Sequence, residues 1–436
     1  KPDDSERQIV QSDNGQRKVS PFTIVDMHEF DGDLIKELSD RDFTIDAMAI
    51  KPEYLIEWIV GNQTDINSSL YRHIIDPFNG LGDLKVKSVK VVSNSVFAND
   101  PVRLIRAVRI AAQLGFSIEK LTRGLIRIHS SLLGNTAPER LRDELLLIMD
   151  CPEPAESLYF MDELGLLKEL IPELTLTRGV VQPIEHHWDV FNHCIETLRF
   201  VDVLTCIDPN YWDNAGQFVP WHTSLEEHFL EKVSDGHSRR TIMKLAGLLH
   251  DISKPQTKTT NPLTGRMRFI GHDREGAEIC RQILGRLRFS GKGIDMICSM
   301  VRHHMRPTQL SQGRELPTDR AIYRYYRDLG AIAIDTLYLN LADYRAAKGP
   351  NVDIVDWHDH CDLIAYILER GFEQTDRIEK TDKLLDGRTL MKNLDIQPGI
   401  MVGRLLRAID EAHALGEVSS EGDAIIMAKE MLDSLT

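Results

Sequence analysis

The sequence predicts a mainly α-helical protein with a short, partial α/β segment at its start. Three observations carry this. PFTIVDMHEF, residues 21–30, alternates apolar and polar side chains as a half-buried strand does. From about residue 97 apolar residues recur at helical spacing, first in NDPVRLIRAVRIAAQLGF. No strong strand alternation returns before Thr436.

Residues 1 to about 20 are polar and are expected to be mobile. RDFTIDAMAI, YLIEWIV and KVKSVKVVS read as short sheet or mixed segments, and DPFNGLGDL between them as a turn or loop. Asp100-Pro101 predicts the start of the first long helix and Gly115 its stop. KLTRGLIRIHSSLL, PERLRDELLLIMD and AESLYFMDELGLLKEL predict further helices. GQFVPWHTSLEEHF and KTTNPLTGRMRF read as insertions or long loops. There is no internal repeat.

Composition narrows the function classes. The 436 residues are 42% apolar and 27% charged, ordinary for a water-soluble globular chain of two to four domains. No apolar run is long enough for a membrane span, and no charged-then-apolar leader opens the chain. The six cysteines form no CxxC pair, so a zinc ribbon is not expected and a reducing cytoplasm fits. The net charge of -15 excludes a whole-surface attraction for nucleic acid, so RNA would need a local basic patch.

Chemistry concentrates in LLHDISKP, residues 248–255. His250 and Asp251 close an apolar run, with His193 upstream and His272, His303, His304 and Asp343 downstream. Any one of these histidines also reads as a hydrogen-bonded core residue. As a set in apolar, helical surroundings they point to a metal ion, since buried polar groups are costly unless satisfied. Mixed imidazole and carboxylate ligands suit Mn, Fe, Mg, Ni or Zn. Lys254, three residues after Asp251, is positioned by sequence to hold a phosphate oxygen and is the expected catalytic partner of Asp251.

Two further stretches suggest nucleotide binding. In DRDFTIDAMA, Arg41 offers a forked donor and Asp42 an acceptor; a structural ion pair is the other reading. In NDPVRLIRAVR, Arg103, Arg106 and Arg109 recur every third residue on one broad helix stripe, with Asp100 three residues before Arg103. An Asp acceptor beside an Arg donor can read a base edge. A solvated basic face is the alternative.

The order His, His-Asp, His, His, Asp resembles the HD superfamily of metal-dependent phosphohydrolases. That resemblance implies His193, His250, Asp251 and Asp343 as the main metal shell, with His272 and one of His303 or His304 for a second metal, His304 being favoured. Ser253 stands where the family has Gly. SDRDFTIDAMA, IIDPFNGLGDL, NDPVRLIRAVRIAAQLGF and TAPERLRDEL resemble, in order, the motifs of class II tRNA nucleotidyltransferases, the CCA-adding enzymes, and of their poly(A) polymerase relatives. The likeness resumes in RTLMKNLDIQPGIMVGRLLRAIDEAHALGEV.

This second resemblance implies that Arg41 and Asp42 contact the nucleotide, with Arg106 and Arg109 beside them. Asp100 and Arg103 would act as the amino-acid template for CTP or ATP. Asp76, Gly80 and Asp83 would belong to a flexible element between head and neck, and Glu139 and Arg140 would stabilise the neck. It also implies Mg2+ for nucleotidyl transfer and tRNA as partner, with contacts near Pro398-Gly399, Arg404 and Arg407. Two departures stand out: NDPVR lacks the first carboxylate of the template motif, and Asp46 replaces a common Asn. The family's Gly-rich loop and DxD are not found in the forty residues before Arg41, so the chain is expected to lack the start of its head.

The expected organisation is a partial nucleotidyltransferase head at 1–96, a helical neck at 97–176, an all-helical HD domain at 177–350 and a helical tRNA-binding tail at 351–436. The expected activity is addition of CCA, or part of it, to tRNA 3′ ends. A poly(A) polymerase, a stand-alone HD phosphohydrolase and a non-enzymatic RNA-binding remnant remain as alternatives.

Overall fold

A computed structural model describes residues 32–60, 70–206, 216–311, 315–380 and 383–434. The expected strand over residues 21–30, with Asp26, lies outside them, as does the polar opening segment.

The first described part is less sheet-like than expected. Helix α1 (Leu34–Ser39) starts at Asp33, whose carboxylate accepts from the Ile35 amide at 2.9 Å. RDFTIDAMAI forms a 3-10 turn, Thr44–Asp46, flanked by two isolated bridges, Phe43 to Val91 and Ala49 to Ile75. YLIEWIV is not sheet but lies in helix α2 (Pro52–Val60). Much of the expected loop DPFNGLGDL is helix α3 (Gly80–Lys85), capped by Asp76, which accepts from the Gly80 and Leu81 amides. This part is tightly tied. Thr44 Oγ1 donates to the buried Asp83 carboxylate at 2.7 Å, and any Cβ at Gly80 would overlap the Thr44 carbonyl. KVKSVKVVS contributes only β1 (Ser88–Val89).

The next segment is helical. It contains α4 (Val96–Asn99), α5 (Arg103–Leu114), β2 (Ser117–Ile118), α6 (Lys120–His129), α7 (Pro138–Met149), α8 (Pro154–Glu163), α9 (Leu166–Leu170) and α10 (Pro172–Thr175). β2 pairs in parallel with β1. Gly115 ends α5 at φ 63°, a left-handed cap that favours glycine. Pro138 and Pro154 sit in the first turns of α7 and α8, where a missing N–H costs nothing.

The central body follows with α11 (Val190–Leu204), α12 (Thr223–Leu230), β3 (Lys232–Ser234), β4 (His237–Ser238), α13 (Arg239–Leu249), α14 (Lys254–Thr257), β5 (Lys258–Thr260) and β6 (Met267–Phe269). Then come α15 (His272–Arg286), α16 (Gly291–His303), α17 (Arg306–Gln309), α18 (Asp319–Leu329), α19 (Ala333–Lys348) and α20 (Ile354–Lys380). The expectation of loops fails at two places. GQFVPWHTSLEEHF contains α12, and KTTNPLTGRMRF is an antiparallel hairpin pairing Lys258 with Phe269, Thr259 with Arg268 and Thr260 with Met267. Lys, Thr, Met, Arg and Phe at these positions give no clean two-residue alternation, so the hairpin left little trace in the sequence.

The tail holds α21 (Gly387–Leu394), α22 (Ile400–Ala414) and α23 (Glu421–Asp433). α22 begins two residues before the expected Val402. One buried apolar core runs from Phe43 to Leu368; a second, smaller core, Leu385 to Ala428, belongs to the tail. Between them stands a polar joint. Buried Glu411 on α22 accepts from Arg324 at 2.7 and 2.8 Å and from Arg327 at 3.2 Å, with Arg320 at 3.4 Å. Among the described residues no helix is long and apolar enough to cross a membrane. All six cysteines are free.

Candidate metal centre and arginine–carboxylate network

Five elements of the central body deliver side chains to one buried point. α11 carries His193, α13 ends in His250 with Asp251 next in chain, α15 starts with His272, α16 runs into His304, and α19 carries Asp343. Gly247 permits the close crossing that brings His250 beside His193: a Cβ there would sit 3.2 Å from Val201 and 3.4 Å from Leu198. Ser253, where the HD family has Gly, adopts φ -93°, ψ 0°, a conformation open to any residue, and its hydroxyl donates to the His272 carbonyl at 2.7 Å. The substitution therefore costs no strain and adds a tie between α14 and α15.

The ring nitrogens have a shared orientation. Nδ1 of His250, His272 and His304 lies 2.8, 2.6 and 2.6 Å from the carbonyls of Gly247, Phe269 and Val301. This fixes the tautomer and aims Nε2 inward, the arrangement typical of metal-ligating histidines. His193 Nε2 is 3.0 Å from Asp343 and 3.3 Å from Asp251; His250 Nε2 is 3.2 Å from Asp251. His272 and His304 approach the other Asp251 oxygen at 3.4 and 4.0 Å. His303, one residue earlier, is only half-buried and makes none of these contacts.

Without a cation this cluster is unbalanced. Burial opposes charge on His250, yet Asp251 and Asp343 outweigh it and push its ring up to about 10. Burial and the neighbouring His250 hold His304 down at about 4. Asp251 Oδ1 and His193 Nδ1 are buried with no hydrogen-bond partner. Two ligand groups, His193–His250–Asp343 and His250–Asp251–His304, each have donor atoms within 4.8 Å of one another. Neutral imidazoles, carboxylates and an orphaned buried oxygen fit a divalent ion. Lys254 is buried as well, its ammonium 2.5 Å from Asp251 and 2.6 Å from Gln182 Oε1. It is therefore tied down rather than free, with one of its three donors left for a ligand.

Sequence reasoning missed Gln182 and His186. Burial, then Lys254, lowers the His186 ring to about 4, and its edge faces His193 at 5.5 Å. The signal was the second His-His pair, EHHW, just ahead of His193. A cavity of about 600 Å³ opens above the cluster, with Asp251, His272, His304, Asp343, Lys254 and His186 on its wall.

The residues expected around a nucleotide behave differently. Arg106 reaches Asp42 at 3.0 Å and Glu144 at 2.9 Å, and Arg109 reaches Glu144 at 2.6 Å. Asp100 is gripped by both terminal nitrogens of Arg140, at 2.9 and 2.7 Å, while Arg103 stands 3.9 Å away and donates to the Asp40 carbonyl. Arg41 pairs with Glu37 at 3.2 Å. The expected Asp100–Arg103 couple is thus loose in this structure, and Arg140 takes Arg103's place. Burial, then the neighbouring Asp42, raises the Asp46 carboxyl to about 7; Asp42 itself is held below the usual range, because hydrogen bonds from Asp46 and Arg106 outweigh its burial. Glu144 went unrecognised in the sequence. Its signal is a lone carboxylate on the apolar stripe Leu141, Leu145, Ile148.

Two family profiles match the chain: "Probable RNA and SrmB- binding site of polymerase A" over residues 115–177 and "HD domain" over 190–348. An A-adding tRNA nucleotidyltransferase of Deinococcus radiodurans is 31% identical over 394 residues, 89% of this chain and 77% of the relative. A CC-adding tRNA nucleotidyltransferase of Thermus thermophilus is 31% identical over 348 residues, 78% of this chain and 69% of that one. The Bacillus stearothermophilus CCA-adding enzyme, solved with CTP, shares the fold: 17% identity, TM-score 0.51, covering 92% of this chain and 75% of that one. The protein is thus an enzyme of mainly helical build. The chain belongs to the tRNA nucleotidyltransferase family and carries an HD domain. Both relationships imply dependence on a divalent metal.

Proposed function

We propose that the protein acts at tRNA 3′ ends, adding CCA or part of it from CTP and ATP, and that its HD domain is a metal-dependent phosphohydrolase. Kinship with A-adding and CC-adding enzymes over most of the chain supports the first part. The inward-facing imidazoles around Asp251 support the second, and that convergence is the observation that carries the site. In this reading the functional units are a head at 1–96, a neck at 97–176, an HD domain at 177–350 and a tail at 351–436, whose first helix, α20, packs into the core of the body, and the protein works in the cytoplasm.

In this reading His193, His250, Asp251 and Asp343 hold a divalent ion, with His272 and His304 available to a second. A bound ion of this kind acidifies water and polarises a phosphoryl oxygen. Lys254 orients Asp251 and points its remaining N–H at a phosphate oxygen. Asp42, Asp100, Arg41 and Arg103 form the nucleotide side, with Arg106 and Arg109 holding the wall through Glu144. Mg2+ would serve transfer; Mn, Mg, Ni, Fe or Zn would serve the HD site.

The test is to incubate the protein with tRNA ending before CCA, or after CC, in CTP, ATP or both. Addition of CC, of A, or of all three residues assigns the reaction. Long ATP-only tails would replace it with poly(A) synthesis. No addition, with Mn2+-dependent phosphoester hydrolysis retained, would leave the phosphohydrolase as the function; the completeness of the HD cluster favours this second reading.

A further inference from the structure

We propose that the β5–β6 hairpin forms a second anion subsite over the HD cavity, selecting ligands with two phosphate groups. The inference rests on the phosphohydrolase reading of the cluster, and its test separates the two. The cavity is lined by Asp251, His272, His304 and Asp343 of the cluster, by the exposed Arg266 and Arg268 of the hairpin, and by Phe269, Ile270 and Met305 as its apolar part. About 600 Å³ suits a nucleotide-sized ligand and is far too small for a duplex.

The hairpin is built to hold position. Its turn is closed by Asn261, whose amide donates to the Arg266 carbonyl at 2.9 Å and whose side chain accepts from the Leu263 amide at 2.9 Å. The register pairs Thr259 with Arg268, and Lys254 lies 5.3 Å from the Phe269 ring. On a chain of net charge -15 most guanidiniums near carboxylates are paired. Arg266 reaches Glu185 at 3.2 Å, with both side chains exposed. Arg268 has no side-chain hydrogen bond or ion pair among the described residues. An unpaired guanidinium beside a cation-binding cluster suits a ligand with a phosphate at each end. The cluster and Lys254 take the reacting phosphate, and the planar fork of Arg268 takes the other. The favoured class is a nucleoside bisphosphate or a single-stranded oligonucleotide end, over a simple phosphomonoester.

The test is calorimetric binding of two turnover-resistant probes to the Mn2+-loaded full chain: the phosphorothioate forms of adenosine 5′-monophosphate and adenosine 3′,5′-bisphosphate. The bisphosphate form is expected to bind roughly five- to tenfold tighter. Arg268→Ala should remove most of that advantage, Arg268→Lys should keep part of it, and neither should change monophosphate binding. Equal affinity of the native chain for both probes, or an advantage surviving Arg266→Ala/Arg268→Ala, overturns the subsite. If the advantage and its loss are seen but Mn2+-dependent hydrolysis is absent, the subsite stands and the phosphohydrolase reading falls.

Discussion

The HD cluster and the neck network both bury many charged groups, yet they are balanced in opposite ways. Around Glu144 each buried carboxylate oxygen meets a guanidinium: Arg106 at 2.9 Å and Arg109 at 2.6 Å. Around Asp251 the neighbours are mostly imidazoles facing one another, and one of its oxygens has no hydrogen-bond partner. Protein alone completes the first arrangement. The second leaves Asp251 Oδ1 without a partner and sets imidazole nitrogens 3.2 Å apart that cannot all be protonated without repulsion, an arrangement that an added cation would complete. A closed network reads as architecture, and an open one as a binding site.

The largest effect should come from removing the ligand set. His250→Ala or Asp251→Ala is expected to lower Mn2+-dependent hydrolysis of bis(4-nitrophenyl) phosphate by roughly 100-fold or more. CTP and ATP binding at the neck should persist in both, measured by equilibrium dialysis; loss of nucleotide binding as well would mean the two regions are not independent. Next, Glu144→Gln should break the closed network. Removing the charged acceptor from the half-buried Arg106 and Arg109 should cost about 2 kcal/mol, read as a lower urea midpoint for the neck. A variant as stable as the native chain would show that Arg106 and Arg109 do not depend on the Glu144 charge.

Chelation followed by Mn2+ return should raise stability by about 2.7 kcal/mol at one hundred times the dissociation constant. The gain should vanish in His193→Ala/Asp343→Ala and survive in Arg140→Ala. A smaller effect is expected at Asp46. Its folded-state value of about 7, raised by burial and by Asp42, lies above the usual carboxylate range of about 4. The folded chain therefore holds a proton there that the unfolded chain has released, and stability falls as pH rises from about 4 through 7. Asp46→Asn should consequently raise the melting temperature more at pH 8.5 than at pH 5.5, by scanning calorimetry. An equal shift at both pH values would show that Asp46 does not carry that proton.

The sequence made the long helices readable, and His and Asp in apolar surroundings stood out by type, while the ligand set itself, with His304 over His303, came from the HD resemblance. It could not say which donor partners which acceptor. Asp100 and Arg103, three residues apart, make a natural couple on spacing, but Arg140, forty residues beyond Asp100, binds both carboxylate oxygens. Glu144 and Gln182 went unread for the same reason, their partners lying 35 to 72 residues away, and the EHHW pair that marks His186 was passed over. Short strands failed too. β1 and β2 are two residues each, below the length at which alternation carries information, and YLIEWIV is apolar enough to read as either helix or strand.

The joint at Glu411 has a consequence for how such a chain changes over generations. The tail keeps its own small core and meets the body at a polar joint of two carboxylates, Glu411 and Glu417, and three arginines. Substitutions inside α21, α22 or α23 therefore need not be matched by repacking around the HD centre. A lineage could lengthen, trade or retune the tail while the residues around Asp251 are inherited intact.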